Sequence, residues 1–304
     1  MSLLDGLAHS PEYLTWAVLV LGLCVGSFLN VVAWRLPQMM DRSDRDYCRT
    51  LLEGTPSATP PPAAPGARPE QRLTLSTPAS HCPACKAPIK PWHNLPVFGW
   101  LALRGQCAAC GIAISPRYPL VEAATGLLSA YCAWHFGWSV LLPAALAMTW
   151  ALVALSLIDY DQQLLPDSIT LPLLWLGLLL SLGDVFVDPK ASILGAAAGY
   201  AGLRGFSALY GWIRKKEVVM GHGDFKLFAA FGAWFGLQAL LPVLVLSALA
   251  GSVVGIPVQL IARARGNKGD VFVPFGPFLA LAGWLMLAWG DTLLGTWFHL
   301  TAAR

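Results

Sequence analysis

Eight stretches of about twenty apolar residues set the first limit on what this chain can become. They fall at 14–33, 119–136, 139–158, 168–187, 191–213, 226–242, 243–262 and 274–298. An apolar helix of about 20 residues crosses the hydrocarbon core of a bilayer. Gly and Pro punctuate several of these runs, as membrane helices tolerate. The break between the sixth and seventh, "GLQALLP", is thin, so seven spans are the alternative count. The expected fold is an all-α polytopic membrane protein of about eight transmembrane helices. A small cytosolic zinc-binding insertion lies between the first and second.

Composition agrees. Of 304 residues, 56% are hydrophobic and only 12% are charged, about half the charged share of a soluble protein. Mean hydropathy is +0.58. Thirteen tryptophans suit a chain with water–lipid boundaries, where indoles concentrate. A formal charge of +3 gives no reason to expect nucleic acid as a partner. The start, "MSLLDGLAHSPEY", has no Lys or Arg. It lacks the basic region of a cleavable signal, so the first apolar run is expected to stay as a helix.

Residues 34–118 differ in kind. They hold ten of the twenty Lys and Arg residues, with Arg35 and Arg117 beside the flanking apolar runs. Basic loops stay in the cytoplasm. The N-terminus is then periplasmic and this insertion cytosolic. By alternation "DYDQQLLPD", "IRKKEVVMGHGD" and "RARGNKGD" are also cytosolic. The division is 1–33, a first transmembrane helix; 34–118, the insertion; and 119–304, a transmembrane core. Within the 41–80 region, the Pro/Ala-rich "TPSATPPPAAPGARPE" reads as a disordered linker.

The insertion carries "CPAC" at Cys82–Cys85 and "CAAC" at Cys107–Cys110, 21 residues apart. Four thiolates from two such knuckles make a closed tetrahedral zinc site, a structural arrangement. Two disulfides are the rival, disfavoured in a reducing cytosol. A redox CxxC lacks its surrounding βαβ pattern. A small polar subdomain needs such a metal staple. Cys24 and Cys132 lie in apolar runs and read as small core residues. Cys48 has no evident partner.

Ionisable groups at membrane depth are costly, which makes them functional candidates. Asp159, Asp161 and Asp167 cluster in "SLIDYDQQLLPD", and Asp224 ends "GHGD" on the same side of the membrane. Asp159 directly follows its apolar run. Asp167 suits a helix start, and Asp161 a solvated position. One of these acids paired with Asp224 would meet the need of an aspartic peptidase. Two close carboxylates share a proton, so one serves as base and the other as acid. Gly221 and Gly223 would let a substrate strand approach closely. His222 between them reads as a bystander. A helix cap is the plain alternative for Asp224.

Taken in order, "GLCVGSFLNVVAWRLP", the two knuckles, "HNLPVFGWLALRGQC", "SPRYPLVE", "LIDYDQQLLPD" and "GHGDFKL" resemble the type IV prepilin peptidases. These are bifunctional leader peptidases and N-methyltransferases of bacterial pilus and type II secretion systems. GxGD alone also occurs in presenilin-like and signal-peptide-peptidase-like proteases. The resemblance places the catalytic aspartates on Asp159 and Asp224. It implies cleavage of a basic prepilin leader at the cytosolic membrane face, then methylation of the new N-terminus with S-adenosylmethionine. It ties Gly105 to methylation, and Asn30 and Arg35 match family positions. No GxGxxG between a strand and a helix marks a methyl-donor site. The rival classes are a membrane scaffold with a zinc-stapled docking subdomain and an ion transporter. Paired half-helices and internal symmetry, which a transporter predicts, are not visible.

Overall fold

The computed structural model describes residues 10–53, 73–215, 220–265 and 273–302. Those residues form nine α-helices: α1 (Pro11–Glu53), α2 (Phe98–Ala102), α3 (Arg117–Phe136), α4 (Leu141–Gln162), α5 (Asp167–Ser181), α6 (Pro189–Arg214), α7 (His222–Phe235), α8 (Leu237–Ala264) and α9 (Gly276–Ala302). A 3-10 turn, Pro91–Asn94, precedes α2. Among the described residues β-structure is limited to two isolated antiparallel bridges, His81 with Pro88 and Gln106 with Ala113. Four helices, α1, α4, α8 and α9, contain stretches long and apolar enough to cross a membrane, and α5 is a shorter apolar helix. The chain divides into two compact units. The larger joins Met1–Leu19 to Leu128–Arg304, and the smaller is Val20–Leu127.

In the larger unit α7 is the hub. Every residue from Asp224 to Trp234 except Lys226 is buried, which explains why the sequence there is apolar on all faces. Small residues let its neighbours approach. A Cβ on Gly195 of α6 would run into the carbonyl of Gly232, and one on Gly232 into the carbonyl of Gly195. Ser192 closes the same seam by donating to the Ala233 carbonyl at 2.6 Å. On the other side Trp234 lies over Gly177 of α5 and donates its indole N–H to the Leu173 carbonyl at 2.8 Å. Helices without a hydrophobic drive between them associate through such close contacts.

The break in this region differs from the expected one. The sequence reading put it at 242/243, but α7 ends at Phe235 and α8 starts at Leu237. Gly236 has φ 76°, a left-handed value that glycine adopts without steric cost. Pro242 falls inside α8, where it removes one backbone bond without ending the helix. With 14 residues, α7 is about 21 Å long, short of a full crossing.

Helix α1 begins in the larger unit, runs through the smaller one from Val20, and is longer than its apolar run, at 43 residues. It continues through "WRLPQMMDRSDRDYCRTLLE", where Arg45 and Asp41 pair at 2.7 Å one turn apart. The proline-rich stretch 55–70 lies outside the described residues. Asn30 donates to the carbonyls of Gly26 and Tyr118, each at 3.3 Å, joining α1 to α3. Arg35 donates to three carbonyls of the chain entering the first cysteine knuckle: Thr74 at 3.0 Å, Leu75 at 3.3 Å and Pro78 at 2.6 Å. Cys24 is exposed rather than in the core. The buried face of α1 runs through Gly22, Gly26, Asn30 and Ala33, and at 3.6 residues per turn Cys24 points away from it. Cys132 is buried as expected.

The α6–α7 seam is directly testable. Gly232→Leu should overpack it and cost about 1–3 kcal/mol, seen as a lower unfolding temperature of the purified protein in detergent. An unchanged temperature would show that the seam is not close-packed.

Candidate functional site

Three helix ends meet at the acid pair. Helix α4 stops just after Asp159, because Gln163 takes a left-handed conformation and returns its N–H to the Asp159 carbonyl at 2.9 Å. Helix α9 starts at Gly276, whose N–H donates to Asp159 Oδ2 at 2.9 Å. Free amides at a helix N-terminus suit a carboxylate. Helix α7 starts after Gly221. Asp224 is its third residue, and a Cβ on Gly221 would stand 3.3 Å from Asp224 Oδ2. Asp159 is 6% exposed and Asp224 8%, and the two interact electrostatically.

Leu165 and two glycines draw these ends together. A Cβ on Gly276 would stand 2.5 Å from Asp159 Oδ2 and 3.2 Å from Leu165. A Cβ on Gly223 would stand 2.5 Å from the Cβ of Leu165. One leucine thus touches the residue before Asp224 and the residue that holds Asp159. The three acids left open by spacing now separate. Asp159 is buried beside Asp224, whereas Asp161 is exposed. Asp167 opens α5 and pairs through both oxygens with Lys226, at 2.6 Å each.

His222 is exposed but not unattached. Arg204 Nη1 lies 3.1 Å from His222 Nε2. A guanidinium only donates, so the ring nitrogen is the acceptor in this contact. The ring also meets Phe225 edge-on at 5.7 Å.

The four cysteines converge. Their Sγ atoms all lie within 4.8 Å of one another, and Cys82 and Cys110 are 3.8 Å apart. A zinc tetrahedron with 2.3 Å Zn–S bonds has edges of about 3.8 Å, so the donor set fits that ion. The knuckles repeat one turn. Cys82 N–H bonds the Ala87 carbonyl and Lys86 N–H the Cys82 carbonyl, both at 2.9 Å. Cys107 with Ile112, and Gly111 with Cys107, do the same at 2.8 and 2.9 Å. The fourth residue after each leading cysteine is left-handed, Lys86 at φ 59° and Gly111 at φ 73°. Backbone N–H groups of Cys85 and Ala84 lower the Cys82 thiol to about 6, which favours the thiolate a metal binds. All seven cysteines are free thiols.

Comparison with known proteins adds the family. A model described as the bacterial peptidase A24 N-terminal domain matches residues 20–136, and that of the type IV leader peptidase family matches 146–256. The chain is 45% identical to a prepilin leader peptidase/N-methyltransferase of Stutzerimonas stutzeri, over 98% of each chain. It is 44% identical to one of Pseudomonas aeruginosa over the full length of both. It is 39% identical to one of Legionella pneumophila over 93% of this chain and 94% of the relative. This chain belongs to the type IV leader peptidase family. No solved structure matches it.

Gly105, singled out by the family resemblance, is buried at φ 70°. A Cβ there would stand 2.8 Å from the Trp100 indole. Its N–H bonds the Trp100 carbonyl at 2.9 Å, and its own carbonyl accepts from Ile114 at 2.7 Å. A left-handed turn and close packing on Trp100 account for a glycine at this position. The residues that sequence reasoning passed over in this family member are Leu165, Lys226, Arg204 and Gly276. Lys226 and Arg204 carried a signal, a charge set within an apolar run. Gly276 carried only the Gly-Pro punctuation of a helix start.

Two outcomes follow from this geometry. Gly276→Ala should displace the Asp159 carboxylate; a misplacement near 1 Å costs about a hundredfold in rate, read as peptidase turnover with little change in unfolding temperature. Cys82→Ser should strip bound zinc from the purified protein by elemental analysis, and an unchanged metal content would remove the tetrad assignment.

Proposed function

We propose that this chain cleaves the leader of type IV prepilins and type II secretion pseudopilins with Asp159 and Asp224, then N-methylates the new N-terminus. The observation that carries the peptidase reading is two buried carboxylates at helix ends that pack on the same leucine, Leu165, through Gly276 and Gly223. They sit at the ends of α4 and α7 in a member of the leader peptidase family. The activity named for the relatives supplies the substrate class.

The chemistry follows from the pair. One carboxyl holds the shared proton while the other is ionised. The ionised group takes a proton from water as the water oxygen bonds to the scissile carbonyl carbon. The protonated group meanwhile gives its proton to the carbonyl oxygen. The gem-diol adduct collapses as one hydroxyl returns its proton to the carboxylate that gave it and the C–N bond breaks, and the amine leaves with the proton first taken from water. Titration belongs to the pair rather than to one residue. The Gly276 N–H occupies Oδ2 of Asp159, which orients the side chain and leaves the other oxygen for the water.

The finer topology is part of this reading. About eight spans in an inner membrane, a periplasmic N-terminus and acids at the cytosolic edge bring the site to the height of a prepilin's leader junction. The functional division is 1–33, 34–118 and 119–304. Zinc on Cys82, Cys85, Cys107 and Cys110 would act as a structural staple for the insertion. S-adenosylmethionine, implied by the family, would supply the methyl group. The described residues present no donor set assignable to it, so its contacts form no part of the mechanism.

Asp159→Asn and Asp224→Asn test the proposal. Each should abolish the leader-shortened band when purified protein meets a prepilin in detergent. Full cleavage by either variant would falsify the aspartyl mechanism.

A further inference from the structure

Residues 91–103, "PWHNLPVFGWLAL", hold no Asp, Glu, Lys or Arg, although they fall in the insertion read as cytosolic. In the structure their apolar side chains point outward. Trp92, Leu95, Phe98 and Leu101 are 60, 55, 66 and 56% exposed. The inner side is taken by other groups: Gly99 packs on the His93 carbonyl, and Trp100 donates to the Ile114 carbonyl at 3.0 Å. Burial within the unit therefore does not explain the four outward residues.

Their depth is fixed by one hydrogen bond. The Val97 N–H donates to Glu122 Oε2 at 2.7 Å. Glu122 lies on α3, five residues past Arg117. Its Cα is 2.8 Å from where a Cβ on Gly26 would stand, and Gly26 is nine residues before Arg35 on α1. At 1.5 Å per residue the two backbones meet about 7 to 13 Å to the apolar side of those arginines. The Glu122 side chain leans toward its helix N-terminus, back toward Arg117, so Val97 sits somewhat shallower. That is the depth of an interfacial segment, whose apolar face enters about 5–10 Å below the headgroups.

Two further features fit. Val97 has φ 61° and ψ −51°, a costly conformation for a β-branched residue. It is held there by a carboxylate only 8% exposed, which needs that donor because water is scarce around it. The segment is also flanked by Lys90, 5.5 Å over the Trp92 ring, and by Arg104. Basic residues and tryptophan together suit the headgroup layer.

We infer that Trp92–Leu101 is a membrane-interface hook whose Trp92, Leu95, Phe98 and Leu101 insert into the cytosolic leaflet, with anionic headgroups meeting Lys90 and Arg104. The partner is lipid. The hook lies between the two cysteine knuckles in sequence and holds them at the membrane surface. The inference rests on the membrane-spanning reading of α1 and α3 and is independent of the acid pair.

Photocrosslinking of the full-length, zinc-loaded chain in nanodiscs of phosphatidylethanolamine and phosphatidylglycerol tests it. The residue p-benzoylphenylalanine replaces, one at a time, Phe98, Leu101, Val20 on the apolar half of α1, or Tyr47 on its charged half. Mass spectrometry after illumination should find phospholipid adducts at 98 and 101 as at 20, and none at 47. Adducts at 20 without any at 98 and 101 would overturn the hook, as would crosslinks from 98 to a second copy of the chain. No adduct at 20 would instead remove the spanning reading of α1, and the hook with it.

Discussion

Asp159 has given up water, and the amide of Gly276 is what receives it. Much of the larger unit follows from that bond. A buried carboxylate needs donors that do not move, and the start of a helix offers unpaired ones. To bring a helix start against the end of α4, the residue there must lack a side chain, and so must Gly223 across Leu165. The end of α4 must also turn sharply, which Gln163 achieves in a left-handed conformation. A site built from three helix ends keeps its acids on rigid elements.

Helix α7 carries that arrangement inward. It is too short to cross the bilayer and is enclosed by its neighbours, so its position is set by packing. The Gly195–Gly232 contact and the Trp234–Leu173 bond fix it against α6 and α5. Asp224 at its start inherits that rigidity. The ion pair between Lys226 and Asp167 lies one helix face away and is partly exposed, so it contributes far less than the buried seam. It also accounts for Asp167, leaving Asp159 as the buried acid of its cluster.

Much of this was legible in the residues. Hydropathy gave the helical class, because lipid lets few other backbones exist. CxxC spacing predicted a converging tetrad, because two knuckles of that size can share one metal. The position of Asp159 at the end of an apolar run was readable, but only the family resemblance, not spacing, separated it from Asp161 and Asp167. The physical reason lay elsewhere, in burial and in a lysine 59 positions away from Asp167. The α7–α8 boundary was misplaced because Pro242 looks like a stronger break than Gly236, whereas a positive φ ends a helix and a proline inside one need not. The course of α1 beyond residue 33 was missed because its charged half has helical propensity without an apolar stripe. Val97 and its bond to Glu122 left no mark in the pattern, since a strained valine reads like any other.

The Arg35 guanidinium spreads over three carbonyls within five residues of chain, with no acid among those partners. A lysine would keep the charge but present a single ammonium point, too compact to reach all three at once. The requirement at this position is for a flat, forked donor, so the tether between the first membrane helix and the cysteine knuckles is selected by geometry and not by sign of charge.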